Sequence, residues 1–135
     1  MKRLLVLAAC AMAACGTSQN KMLETEKGQV ELRQIQSRAF DTTDREKMLR
    51  TIMATLQDLG FVLDKADATL GLVTATKLDR YALRMTVTVR ARGEKQLLVR
   101  ASGQFNQQPV VEPAPYQQFF TALGKAMFLE AQQVD

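Results

Sequence analysis

A chain of 135 residues with no histidine, no tryptophan and two cysteines has a narrowed chemistry open to it, although a pair of carboxylates remains formally possible among its 14 acids. A Ser-His-Asp triad cannot be built, and the commonest general base and zinc ligand are both missing. The length suits a single domain with a modest core, and the formal charge of +4 is weak evidence for a nucleic-acid partner.

The chain opens with Met1–Cys15, MKRLLVLAACAMAAC. Lys2 and Arg3 precede an apolar run, Leu4 to Ala14, that is too short to span a bilayer, which takes ~20 residues. A basic start, a short apolar core and small residues before the cut form an export signal. Small residues directly before a cysteine are the lipobox arrangement of bacterial lipoproteins. Leu7-Ala8-Ala9-Cys10 matches it better in composition, but leaves an apolar core shorter than the usual ~7–15 residues. Met12-Ala13-Ala14-Cys15 leaves an adequate core and is followed by polar Gly16-Thr17-Ser18-Gln19-Asn20. Cys15 is therefore the expected lipid attachment, with Cys10 as the alternative. A diacylglyceryl cysteine that is also acylated on its amine carries three chains, enough for lasting attachment. Loss of the signal takes Lys2 and Arg3 with it and leaves about 120 residues with no free thiol. The core must then stand without a disulfide. No Asp follows either cysteine (Gly16 and Ala11 do), which in lipoproteins of this type points to the outer membrane, periplasmic face.

Residues 16–28 are polar, charged and aperiodic, and read as a flexible tether that reaches about 40 Å at ~3.3 Å per residue. A single domain is expected over 29–135. Gln29 to Phe40 has β-branched and apolar residues among polar ones and is expected to be a strand. Its parity is mixed, with Val30 and Leu32 on one side and Ile35 on the other, which a bulge would reconcile. Thr43 and Glu46 are spaced as a capping box. Met48, Leu49, Ile52, Met53, Leu56 and Leu59 then recur at helical spacing, and Gly60 suits a left-handed cap. The Met pair reads as part of a core-facing stripe rather than an adaptable binding surface.

Phe61 to Asp64 begins the next strand, Lys65 to Thr69 is expected to turn, and Leu72 to Thr76 returns. Arg80 to Arg92 carries the clearest pattern in the chain. Tyr81, Leu83, Met85, Val87, Val89 and Ala91 alternate with residues that are mostly Arg and Thr, the signature of a strand with one wet face. Gly93-Glu94-Lys95 turns, and Gln96 to Gln107 pairs back with Leu97, Val99, Ala101, Gly103 and Phe105 inward. The prolines at 109, 113 and 115 are expected to end strand pairing. A last helix near Pro115 presents Tyr116, Phe119, Phe120, Leu123, Met127 and Phe128 to the core. The expected fold class is α+β, a two-layer sandwich of one antiparallel sheet with two helices on one face, in the order β-α-β-β-β-β-α.

Two resemblances follow from particular residues. Leu56 to Thr76, LQDLGFVLDKADATLGLVTAT, resembles the helix-grip-like units of a lipoprotein component of the outer-membrane β-barrel assembly machinery. In those units a helix ends in L-G-F and a D-x-x-x-G turn joins the next two strands. Arg33 to Asp44 (RQIQSRAFDTTD) and Tyr116 to Leu123 (YQQFFTAL) resemble a family of small, functionally uncharacterised Gram-negative outer-membrane lipoproteins. Neither resemblance implies catalytic residues. The anchor, the absence of His and free Cys, and an outward sheet face rich in Arg lead to the expectation of a non-enzymatic, periplasm-facing accessory or adaptor subunit of an envelope assembly or transport complex. No cofactor is expected beyond the covalent lipid on Cys15, and no metal. The partners expected are the membrane, through the anchor, and an envelope protein complex, not nucleic acid. Seven methionines and an exposed edge strand leave a homodimer open. The candidate interaction face is the wet side of the sheet: Arg84, Thr86, Thr88, Arg90, Arg92 and Arg100. Arginine is common where carboxylates or phosphates are gripped, and the alternative for this stripe is a merely solvated face. Binding of an envelope glycan or lipid, such as peptidoglycan or lipopolysaccharide, is the competing function.

Overall fold

The computed structural model describes residues 28–79 and 81–132. The signal, Cys10, Cys15, most of the tether and Arg80 lie outside these. The chain divides into a unit ending at Glu31 and a second unit, Leu32–Asp135, that holds the sheet and its helices. No helix among the described residues is long and apolar enough to cross a membrane.

Residues 28–36 form helix α1, and Ser37–Phe40 form strand β1. The expected strand over Gln29–Phe40 is thus mostly helix. The mixed parity has a simple cause: Leu32 and Ile35 are three apart and share one helical face, which packs against the core. Val30, which the strand reading grouped with Leu32, is half-exposed.

Helix α2 spans Arg45–Asp58. Its cap is not the Thr43–Glu46 box. Asp44 is the N-cap, its carboxylate accepting from the Lys47 N–H at 3.1 Å, while Thr42 Oγ1 accepts from the Asp44 N–H at 3.2 Å. A carboxylate at this position also faces the positive end of the helix dipole, which a threonine hydroxyl does not exploit. Met48, Ile52 and Leu56 are fully buried along one face, each such burial contributing about 1.5–3 kcal/mol. The helix ends in a Schellman motif: the Phe61 N–H donates to Leu56 O at 2.9 Å and the Gly60 N–H to Gln57 O at 3.0 Å. Gly60, at φ +94°, supplies the left-handed residue this requires.

Strands β2 (Val62–Asp67), β3 (Leu72–Asp79), β4 (Tyr81–Arg92) and β5 (Gln96–Phe105) form an antiparallel meander. The turn expected at Lys65 falls three residues later, because a bulge between Leu63 and Lys65 keeps β2 paired with β3 as far as Asp67. The following turn is closed by the Asp67 carboxylate, which accepts from the Leu70 N–H at 3.0 Å. Gly71 then comes so close to β4 that the Val89 N–H donates to its carbonyl at 2.9 Å.

After β5, Asn106 and Gln107 both take positive φ and form a two-residue turn. Strand β6, Gln108–Pro109, pairs back onto Phe105 and Gln104. Pro109 therefore does not abolish pairing as expected; it sits on a sheet edge, where a missing N–H is tolerated. Helix α3 runs Pro113–Gln132. Tyr116, Phe119, Phe120 and Leu123 are buried, whereas Phe128, expected in the core, is 63% exposed near the end of the helix.

The sheet order is β1-β5-β4-β3-β2, with β6 also on the β5 edge. Helix α2 connects strands at opposite edges and packs over β2, β3 and β4 as well as against α3. Helix α3 covers the β5 and β1 side, where the Arg38 guanidinium lies 5.0 Å from the centre of the Phe120 ring. One face of the sheet thus meets the helices through Val73, Ala75, Met85, Val87, Val89 and Val99. This is the α+β two-layer sandwich, with a third helix added at its start and a sixth, very short strand before the last helix.

Candidate functional site: the outer face of the sheet

Side chains of even number on β4 point away from the helices, because successive residues of a strand alternate between faces. The register sets them in rungs across the sheet. Thr76, Arg84 and Gln104 share one rung, Thr74, Thr86 and Ser102 the next, then Leu72, Thr88 and Arg100, then Arg90 and Leu98, then Arg92 and Gln96. Among the described residues no helix packs on this side. Arg84, Arg90, Arg92 and Arg100 are all exposed, and Thr86 and Thr88 are half-buried between rungs. All six residues singled out from the alternation therefore share one face.

The face is basic and its charge is not neutralised from within. Among the described residues no hydrogen bond or ion pair engages Arg84, Arg90, Arg92 or Arg100. Acids near this face make hydrogen bonds of their own with neutral donors. The Asp64 carboxylate accepts from Thr76 Oγ1 at 2.5 Å, and Asp67 holds the turn to β3. At the other edge, Asp41 accepts from Gln96 Nε2 at 2.7 Å. Among the described residues none of the cations on β4 and β5 is ion-paired with a carboxylate.

Four of the six residues line a common depression of about 300 Å³: Thr86, Thr88, Arg90 and Arg100, joined by Leu98 and Ser102. Arg84 and Arg92 lie on rungs to either side. Leu98 is the residue that alternation alone did not bring to notice. Its signal is the Leu97-Leu98 doublet, which must place one leucine on each face: Leu97 is buried under the helices and Leu98 is half-buried on the outer side. A second, larger hollow of about 480 Å³ lies on the helix layer, between Leu59 and residues Ala114 to Lys125 of α3. It is lined largely by small and amide side chains, with Lys125 as its sole charge.

Guanidinium groups and hydroxyls donate hydrogen bonds to anionic oxygens. No group of three or more Asp, Glu, Cys or His that could hold a metal occurs among the described residues. Cys15 and Cys10, the expected lipid-bearing residues, lie outside them. A scan of protein-family models and a search of curated proteins both find no match to this chain, so the geometry above carries the functional reading.

Proposed function

We propose that this chain is a non-enzymatic, periplasm-facing lipoprotein, anchored through Cys15 to the outer membrane, that acts as an accessory or adaptor subunit of an envelope assembly or transport complex. The observation that carries this reading is the outer sheet face: four arginines with no internal partner, on the one side of the sandwich that lacks a second layer among the described residues. Unpaired surface cations contribute little to the stability of a fold, yet they steer and orient an acidic partner effectively. The test places a photoreactive residue at Arg84 or Arg90 in the full-length chain, in intact cells. One dominant protein adduct that is lost when the remaining arginines of the face become glutamate supports the adaptor. A smear of weak products, unchanged by those substitutions, rules it out. A Cys15→Ala control reports whether the anchor is needed.

A second reading is favoured by the depression between Arg90 and Arg100, which is concave where a protein-docking face is usually flat. In this reading the face binds an anionic envelope glycan or lipid. Co-sedimentation with purified sacculi, or with anionic lipid vesicles, that falls steeply with salt would support it. No co-sedimentation at low salt would remove it.

A further inference from the structure

The lining of the depression is more selective than a basic stripe requires. Thr88 is paired with Arg100 across β4 and β5, and Arg90 is two residues along β4 on the same face. Diagonal neighbours of this kind stand about 7–8 Å apart, so two flexible guanidinium side chains can close on one anion between them. Three hydroxyls, of Thr86, Thr88 and Ser102, line the same hollow. Among the described residues none of them is spent on an internal hydrogen bond. No acid contributes to the lining.

The number of donors distinguishes between anions. A carboxylate offers two coplanar oxygens, which one guanidinium fork satisfies. Two guanidinium groups on different strands, with the Thr88 hydroxyl beside both and those of Thr86 and Ser102 one rung farther along, approach from several directions. They suit a tetrahedral group with three terminal oxygens. The depression has a volume of about 300 Å³ and opens to solvent on its outer side. It has room for more than a bare phosphate, so a sugar ring can lie beside the anion. Leu98, the sole apolar side chain of the lining, provides a surface for the C–H face of such a ring.

We propose that the depression between Arg90 and Arg100 binds the phosphate of a phosphorylated sugar, whether soluble or displayed as a lipid headgroup. This rests on the second reading above and names its ligand class. Arg90 and Arg100 hold the phosphate, the three hydroxyls orient it, and Leu98 receives the ring.

The test uses the full-length chain in zwitterionic detergent micelles, followed by amide and arginine side-chain NMR. Glucose 1-phosphate is expected to give saturable shifts confined to residues 86–90 and 98–102, and to bind at least tenfold more tightly than glucuronate, the same ring bearing a carboxylate. Glucose is expected not to saturate. Arg90→Gln and Arg100→Gln should each weaken glucose 1-phosphate roughly tenfold, the effect of one charge-assisted contact. Arg84→Gln and Arg92→Gln should change it by less than about threefold. Micelles doped with a phosphorylated glucosamine lipid displace the soluble ligand if the headgroup is the source. If they do not, the soluble sugar phosphate is the source. Equal binding of glucuronate, or equal losses in all four arginine variants, overturns the inference. Should salt-sensitive sacculus binding persist in that event, only the phosphate seat is removed and the basic-face reading stands. Loss of both removes both.

Discussion

The Gly103 N–H donates to the Tyr116 hydroxyl at 3.1 Å, and this contact ties the last residues of β5 to the first turn of α3. The same oxygen donates to Val110 O at 2.6 Å and accepts from Gln36 Nε2 at 3.2 Å. A phenol has one O–H and two lone pairs, so its capacity is used in full at a site that is completely buried. The arrangement joins the end of α1, the sheet, the β6–α3 connection and α3. Tyr116→Phe keeps the ring but strands a buried N–H, a carbonyl and an amide. With about 1–3 kcal/mol for each of the three groups left unsatisfied, a loss of roughly 3 kcal/mol or more is expected in urea unfolding, with little change in m. A loss below about 0.5 kcal/mol would mean that the phenol is not the clasp.

Gly71 and Gly93 both take positive φ, yet their surroundings differ. At Gly93, a turn residue at φ +64°, an added Cβ meets nothing within 4 Å. At Gly71, at φ +68°, it would lie 2.7 Å from Val89 O and 2.6 Å from Arg45 Nη2. Gly93→Ala should therefore cost only the left-handed backbone term, about 1–2 kcal/mol. Gly71→Ala should cost more, roughly 3 kcal/mol or above, because the close approach to β4 must open as well. It also disturbs the bond from Arg45 Nη2 to Thr69 O, 3.0 Å long. Thermal melts of the two variants, compared side by side, check the difference.

The start of α2 offers a direct test of which residue caps it. Asp44→Ala should destabilise by about 1 kcal/mol, in the usual range for a lost N-cap. Thr43→Ala, exposed and outside the cap geometry, should stay within about 0.5 kcal/mol. Equal effects would restore the capping-box reading.

The basic face should behave unlike the core. Arg90 and Arg100 are like charges on neighbouring strands, without internal partners among the described residues. Replacing either with Gln should leave stability unchanged or raise it by a few tenths of a kcal/mol. Leu123→Ala or Ile52→Ala, by contrast, empties a fully buried site and should cost about 2–5 kcal/mol. Urea midpoints for the four variants separate the two classes. A loss above about 1 kcal/mol for Arg90→Gln would give that side chain a structural role and weaken its assignment to a ligand.

Much of the fold is legible in local pattern. The alternation through β4 and β5 puts Arg84, Thr86, Thr88, Arg90, Arg92 and Arg100 on one face whatever lies beyond them, since side-chain direction in a strand has period two. The stripe from Met48 to Leu56 and the run Leu59-Gly60-Phe61 specify a helix and its stop through spacing and backbone chemistry alone. Other features depended on partners far along the chain. Residues 28–36 are short and weakly patterned, and whether Leu32 and Ile35 belong to a helix or a bulged strand is decided by the core they reach. The Tyr116 clasp brings together residues 80, 13 and 6 positions away, a relation that no window of sequence contains. The depression is of the same kind. Composition and alternation supply its arginines, but only the register of β4 against β5 places Arg90, Arg100, Ser102 and Leu98 around one hollow. Local periodicity determines which way a side chain points; what it meets there is set by long-range pairing, where burial energy outweighs local propensity.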